Sequence, residues 1–264
     1  MNIIVCIKQV PDSDIRPRIA SGGKSILEDD IKWIMNPYDE FAVEEALRMR
    51  EKFGGMVTII GAGPPRAAAV VRTALAMGAD KGILINDPVI WSGNSSSIAR
   101  VVARAIEKLD FDVIFTGQRG IDNNSGLFGS ALAEYLDLPQ ITLAIKVDVA
   151  DDCASVRIHT QVEGEIMIIE SGLPALITAQ KGLNEPRYTS LPGIMKAKKK
   201  PLEEKSLAQL GLSPADLEAD LAGIKVVELT LPPQRKSGII IDGNSPEEKA
   251  QALLNLLESE TGVL

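Results

Sequence analysis

The chain has 264 residues, 45% of them hydrophobic and 24% charged, with a net charge of −8. Such a composition suits a globular protein with a sizeable core, the acidic balance argues against general nucleic-acid binding, and no apolar run approaches the roughly 20 residues that cross a bilayer. Cys6, Cys153 and His159, the only cysteines and histidine, cannot assemble a zinc site, and His159 has no G-x-S-x-G nucleophile to serve. The two cysteines form no motif and suit a reducing compartment. No secretory signal is read at the start, so a cytoplasmic location is expected.

Residues 2–8 read as a first buried strand, followed by a Pro- and charge-rich excursion over 11–30. Within it, Ser21-Gly22-Gly23-Lys24-Ser25 imitates a phosphate loop, but the glycine that motif needs is Arg18, so a hairpin turn is predicted. A helix begins at Asn36-Pro37, with Asn36 as N-cap and acids in the first turn. Tyr38, Ala42, Ala46, Met49 and Phe53 recur on its buried face. Met56 to Ile60 is the next strand, running into Gly61-Ala62-Gly63 and a helix that Gly78 closes. Lys81 to Ile85 is a strand, and a third helix opens near Ser95, burying Ile98, Val101, Val102, Ala105 and Leu109.

The stretch from Asp112 to Tyr135 organises the rest. It reads as a strand (113–115), a Gly- and Asn-rich loop, and a helix opening near Ser125. A strand that feeds a glycine loop and a helix N-terminus is suited to an anion, because free N–H groups and the helix dipole point at it. Gly117, Gly120, Gly126 and Gly129 let the backbone approach a ligand. An ordinary capped turn is the competing reading of this stretch alone. The alternation of strands and helices predicts a three-layer, mainly parallel, Rossmann-like α/β sheet, with ligands beyond the strands' carboxyl ends. There the glycine junctions and the Ile7-Lys8 loop converge, which favours a nucleotide site.

After Pro139 the runs 141–149, 155–160 and 165–170 predict added antiparallel strands, the last two joined by a hairpin at Glu163-Gly164, and 173–179 a further buried strand. Residues 182–200 carry Tyr188, Leu191, Ile194 and Met195 beside Lys196, Lys198, Lys199 and Lys200. This reads either as a solvated linker or as a docking loop with an apolar anchor and steering lysines. Beyond it, 201–264 reads as an extended C-terminal arm, with helical pieces at 203–209 and 213–221, a strand at 225–229, and a final helix opened by a Ser245–Glu248 capping box. The expected division is a nucleotide-binding domain over 1–200 and the arm over 201–264.

Several blocks together resemble the electron transfer flavoprotein beta subunit over nearly the whole chain. They are Ile4-Val5-Cys6-Ile7-Lys8-Gln9-Val10-Pro11-Asp12, Met35-Asn36-Pro37-Tyr38 with Ala42-Val43-Glu44-Glu45-Ala46, and Arg72 to Asp80. To these add Leu183-Asn184-Glu185-Pro186-Arg187-Tyr188 and Leu191-Pro192 followed by Ile194 to Lys200. The resemblance implies a heterodimer whose alpha subunit holds the redox-active FAD, with structural AMP in the beta subunit. It implies an AMP site at Cys6, Asn36, Asp39, Ala62 and Gly117, and at Arg119, Gly120, Ile121, Asp122, Asn123, Asn124, Ser125, Gly126, Leu127, Phe128, Gly129 and Ser130. Tyr38 would lie near the alpha-subunit flavin. Tyr188, Leu191, Pro192, Ile194 and Met195 would dock an acyl-CoA dehydrogenase or related flavoprotein dehydrogenase of fatty acid beta-oxidation, and electrons would pass on to a quinone-linked acceptor oxidoreductase.

The family's nucleotide loop commonly reads G-x-Q-A-I-D-x-D-x-x-Q-x-G, and here Asn124 stands for an Asp and Leu127 for a Gln. The D-G-D-T-A-Q-V-G-P run of electron-bifurcating members, which bind a second FAD and use NADH, is absent. The expectation is therefore an electron carrier subunit, not a stand-alone enzyme. The alternatives are a bifurcating subunit and a universal-stress-type nucleotide sensor.

Overall fold

The computed structural model describes residues 1–91, 93–223, 225–233 and 237–261. The first strand, β1 (Asn2–Ile7), is followed by β2 (Gln9–Pro11) and β3 (Trp33–Met35), which pair with each other as a small antiparallel ribbon. Then come α1 (Pro37–Phe53), β4 (Met56–Ala62), α2 (Ala68–Met77) and β5 (Lys81–Ile85). Helix α3 (Ser95–Ile106), β6 (Val113–Gly117) and α4 (Leu127–Tyr135) complete the alternating part. Four strands follow: β7 (Gln140–Val149), β8 (Ser155–Val162), β9 (Glu165–Gly172) and β10 (Ala175–Ala179). The last elements are α5 (Leu191–Ala197), β11 (Leu202–Lys205), α6 (Glu218–Ala222) and α7 (Pro246–Thr261).

Nine strands form one sheet in the order β11-β5-β4-β1-β6-β10-β7-β8-β9. Pairing is parallel from β11 to β7 and antiparallel for β7 with β8 and β8 with β9. Helices cover both faces, so the central strands are apolar on both sides instead of alternating with polar residues. Along β1, Ile3, Val5 and Ile7 pack with Val43 and Leu47 of α1 and Val71 and Leu75 of α2. Ile4 and Cys6 point the other way, into a second core with Val102 and Ile106 of α3 and Leu132 of α4. The three-layer, mainly parallel architecture is the one the sequence predicts. The far edge differs in character: on β9, Ile166, Met167 and Ile168 are 61%, 49% and 60% exposed.

Four local expectations change. The 203–209 stretch is not helical: Leu202–Lys205 pairs with Gly82–Ile85 of β5, and only Ala208–Leu210 coils, into a 3-10 turn. Its Glu and Lys residues favour a helix, but the unpaired edge of β5 offers a ladder. Residues 225–229 form no strand, although Leu229 donates its N–H to the Gly23 carbonyl at 2.8 Å; among the described residues no strand lies beside them to pair with. Helix α4 begins at Leu127, with Gly126 as a left-handed N-cap (φ 66°), two residues later than expected. Ser245 does accept the Glu248 N–H at the start of α7, but the Glu248 carboxylate turns to the Asn244 N–H.

The chain divides into two compact units, one of residues 1–18 and 26–227, the other of 19–25 and 228–264. Residues 201–217, read from sequence as the start of the arm, belong to the first unit because β11 extends its sheet and Leu207, Leu210 and Leu217 fill its second core. The second unit contains α7 and the turn in which Gly23 N–H bonds the Ala20 carbonyl and Ala20 N–H the Ser25 carbonyl. The glycine-lysine stretch is thus a turn, as expected. No helix among the described residues is long and apolar enough to cross a membrane.

Phe115 is fully buried on β6, between β1 and β10. Phe115→Ala is expected to destabilise the first unit by about 3–5 kcal/mol, read from the urea unfolding midpoint; a loss below about 1 kcal/mol would contradict this placement of the core.

Candidate functional site

The chain leaves β1 to build β4 and β5 on one side and returns to place β6 on the other. The carboxyl ends of β4, β1 and β6 therefore lie side by side at the point where open α/β sheets leave a crevice. A cavity of about 120 Å³ occupies it. Ile60, Ala62, Ile98, Val102 and Phe128 supply apolar lining, and Lys8, Asn94, Ser95, Gln118, Arg119 and Ser125 supply polar lining.

Two side chains from the start of α1 shape this cavity. Asp39 is buried and accepts the Lys8 backbone N–H at 2.6 Å, the Gly117 N–H at 3.1 Å and the Asn36 amide at 2.9 Å. It thereby ties together the ends of β1 and β6. Asn36 donates also to the Arg119 carbonyl at 2.9 Å and accepts the Ile121 N–H at 3.2 Å. Asn36 does precede the helix, but its side chain makes no capping bond; it is diverted into the loop after β6. Gly117 is required here: a Cβ on it would lie 2.1 Å from Asp39 Oδ1 and 2.9 Å from the Asp39 backbone nitrogen.

Burial pushes the Asp39 carboxyl up to about 7, against the hydrogen bonds from Asn36, Lys8 and Gly117 and the nearby Lys8 charge. Desolvation of the carboxylate outweighs the hydrogen bonds and the charge that favour its ionised form. Burial likewise pushes the Cys6 thiol far up, with the Asp39 charge adding to it, so this cavity-lining thiol is not a nucleophile.

The loop from Arg119 to Gly126 is held at its base. Asp122 pairs with Lys8 Nζ at 2.6 Å, and the Asn124 N–H (φ 52°) bonds the Gly120 carbonyl. The Arg119 guanidinium donates to the Tyr38 hydroxyl at 3.2 Å and lies 5.5 Å from its ring. Of the residues named from sequence, Cys6, Asn36, Asp39, Ala62, Gly117, Arg119, Gly120, Asn123, Ser125, Gly126 and Phe128 line the cavity. Ile121, Asp122, Asn124, Leu127, Gly129 and Ser130 do not, although Asp122 acts on it through Lys8.

Sequence reasoning missed Thr116, Gln118 and the run Gly93, Asn94 and Ser95 with Ile98 and Val102. Asn94 followed by three serines is a readable cap, and its Oδ1 does accept the Ser96 and Ser97 N–H groups at 3.0 Å. Nothing in the linear pattern says that this helix start faces the glycine loop. At helix α4 the N-cap is Gly126, which has no side chain to offer; the Ser125 hydroxyl accepts the Leu127 N–H at 3.4 Å, and the other first-turn N–H groups suit an anion. No cluster of metal ligands occurs among the described residues, and His159 sits opposite Ile168 in the antiparallel extension.

The second named group lies on 188–195. Tyr188 is 99% exposed, Leu191 73% and Met195 64%; Pro192 and Ile194 are exposed as well. Ser190 caps α5 by accepting the Gly193 N–H. The basic cluster is not uniform. Lys196, Lys198 and Lys199 are exposed, whereas Lys200 is partly buried and donates to the Leu75, Gly78 and Ala79 carbonyls. Lys200 is therefore not one of the steering charges.

Residues 24–210 match the family model described as electron transfer flavoprotein domain. The chain is 43% identical over 265 residues to the electron transfer flavoprotein subunit beta of Bacillus subtilis, covering 100% of both. It is 40% identical to the protein of that name from Thermoanaerobacterium thermosaccharolyticum, over 98% of this chain and 97% of the relative. It is 35% identical to the human one, over 92% of this chain and 93% of the relative.

Gly117→Ala is expected to break the Asp39 network and to cost about 1–3 kcal/mol in urea unfolding, since two buried N–H groups lose their acceptor; an unchanged midpoint would refute the contact. The folded Asp39 holds its proton up to about 7, whereas an unfolded aspartate releases it near 3.8. Its contribution to stability is therefore full at low pH and declines as pH rises from about 4 to about 7. A carboxyl-carbon NMR titration should give a midpoint near 7; an aspartate titrating normally would show that burial does not dominate.

Proposed function

This chain belongs to the electron transfer flavoprotein family as a beta subunit, and from that premise we propose that it serves as the structural and docking half of an electron carrier. Its partner is an electron transfer flavoprotein alpha subunit, whose FAD supplies the redox chemistry. The beta subunit binds AMP in the cavity beyond β1, β4 and β6, presents Tyr38 toward the flavin, and docks an acyl-CoA dehydrogenase-type partner through Leu191.

The observation that carries the AMP reading is the combination of groups lining that cavity. Gln118 Oε1 is buried and without a hydrogen-bond partner among the described residues, an acceptor suited to an adenine amino group. Ile60, Ile98, Val102 and Phe128 offer apolar surface to a base. Lys8, Arg119 and the start of α4 offer positive charge and N–H donors to a phosphate. Nothing in the cavity is arranged for bond chemistry: its thiol is unreactive, and Asp39 spends its acceptors on the fold. The residues bind and orient, and the ligand replaces water that the polar lining would otherwise hold. Leu191 and Tyr188 have the exposed apolar character of interface anchors, with three lysines next to them to attract an acidic partner.

The natively purified alpha–beta complex, denatured and analysed by chromatography and mass, should release one FAD and one AMP per heterodimer. Two FAD and no AMP would overturn the AMP reading and assign the cavity to the second flavin of a bifurcating, NADH-linked subunit. Leu191→Ala should raise the apparent KM for the complex in dehydrogenase-driven reduction by about tenfold or more, the usual weight of a buried interface anchor; an unchanged KM would remove Leu191 from the docking role.

A further inference from the structure

The segment that displays Tyr188 and Leu191 is fastened at both ends. At its entry, the Arg187 guanidinium forks onto two carboxylates of α1. Nε and Nη2 donate to Glu44 at 2.7 and 3.0 Å, and Nη1 donates to Glu51 at 2.6 Å. The Glu44 side chain is only 4% exposed, whereas Arg187 is a third exposed, so the carboxylate end of this pair is withdrawn from water and the guanidinium end is partly solvated. Burial alone would push the Glu44 carboxyl up, but the hydrogen bonds and charge of Arg187, with a further hydrogen bond from Arg48, outweigh it and hold the group below its ordinary value. The Arg187 backbone N–H adds a bond to the same carboxylate at 3.1 Å.

At its exit the fastening is to α2. The Lys200 ammonium donates to three carbonyls at the end of α2, Leu75 at 3.0 Å, Gly78 at 3.1 Å and Ala79 at 2.6 Å, which uses all three of its protons. Leu75 and Gly78 belong to the last turn and C-cap of α2, where carbonyls lack intrahelical partners and a cation is favoured, and Ala79 follows directly; Gly78 also accepts Arg50 Nη1 at 3.0 Å. In return, Arg72 of α2 donates to the Ala197 and Lys200 carbonyls at 2.6 and 2.7 Å. Between the two fastenings α5 lies so close to α2 that a Cβ on Gly193 would sit 2.6 Å from the Ala76 carbonyl oxygen.

We propose that Arg187 and Lys200 are positioning residues that hold the Leu191 segment in its docking geometry before a partner arrives. They act through the backbone, not by touching the partner. This rests on the reading of Leu191 as the docking anchor and adds how that anchor is presented. A free loop would have to be ordered at the moment of docking, and the entropy lost would weaken binding. With both ends tied to α1 and α2, that cost falls in folding and only the exposed side chains remain to be immobilised. The five cations of the region thus divide in function: Arg187 and Lys200 set the backbone, and Lys196, Lys198 and Lys199, all exposed, are left to face a partner. Hydrogen exchange across 188–198 should therefore be slow for so exposed a segment.

The test compares the alpha–beta complex carrying Arg187→Gln, Lys200→Met, Lys200→Arg or Leu191→Ala with the wild type. The probe is an acyl-CoA dehydrogenase reduced by its acyl-CoA, and the readouts are KM and kcat for reduction of the complex and hydrogen exchange over 188–198. R187Q and K200M should raise KM by about five- to tenfold with kcat within about twofold, because only the ordering of the docked surface changes. Exchange should quicken in 188–198 more than elsewhere in the chain and the flavin absorbance should stay near wild type, although R187Q, which takes one cation from the buried Glu44 carboxylate, should also lower the thermal midpoint. K200R, which keeps a cation and its donors, should recover most of the KM loss. Should K200M fail to fold, R187Q alone still decides the matter.

If L191A raises KM and neither R187Q nor K200M does, docking stands and the positioning proposal falls. Faster exchange throughout the chain, with no recovery in K200R, would also overturn it, since the two residues would then merely support the fold. If L191A leaves KM unchanged, the docking reading itself fails, and the proposal with it.

Discussion

Asp39 accepts N–H groups from the ends of β1 and β6 while standing in the first turn of α1, and the cavity exists because of that arrangement. Two parallel strands that splay apart at a switch point need something to fix the gap between their ends. Here a buried carboxylate spans it, and Asn36 extends the tie to the loop that follows β6. The close approach leaves no space for a Cβ at Gly117. One buried acid therefore sets the position of the glycine loop, the start of α1 and the Tyr38–Arg119 contact together. The cost is a carboxyl in an apolar setting, which is reflected in its reluctance to ionise.

Much of this was legible in the sequence. Burial on both faces of the sheet writes continuous apolar strands such as residues 2–7 and 113–115, and their alternation with helices predicts the layers. The glycine junctions after β4 and β6 mark where the chain borders the cavity. What sequence could not show is anything decided by a distant partner. The Glu and Lys residues of 202–205 suit a helix until the bare edge of β5 is placed beside them. Asn36 has the signature of a cap, yet its amide is claimed by a loop 83 residues away. Lys200 ends a run of lysines and looks like one more surface charge; only the fold shows three carbonyls converging on it. Gln118 and Asn94 joined the cavity for the same reason.

Helix α1 carries more of the molecule's specificity than its length suggests. Asn36 and Asp39 serve the cavity from its first turn, and Glu44, Glu45 and Glu51 hold Asn184 and Arg187 from later turns, where Glu45 accepts the Asn184 amide at 2.9 Å. An acid-rich helix in an acidic protein is usually read as a solvated face. Here Asp39, Glu44 and Glu45 are buried, each matched to a specific donor. That matching is what makes burial of charge tolerable.

The outer strand of the antiparallel extension bears on how the polypeptide behaves when made by itself. Strand β9 ends the sheet, with no strand paired to its outer edge among the described residues, and Ile166, Met167 and Ile168 stand exposed in succession along it. A bare edge with adjacent apolar side chains is a template for another chain to add a strand, the geometry from which ordered aggregates grow. Glu163, Glu165 and Glu170 flank the run and act as charged gatekeepers at its two ends, leaving its middle unguarded. Recombinant production of this polypeptide without a companion chain thus carries a solubility hazard located in three residues, far in sequence from both the cavity and Leu191.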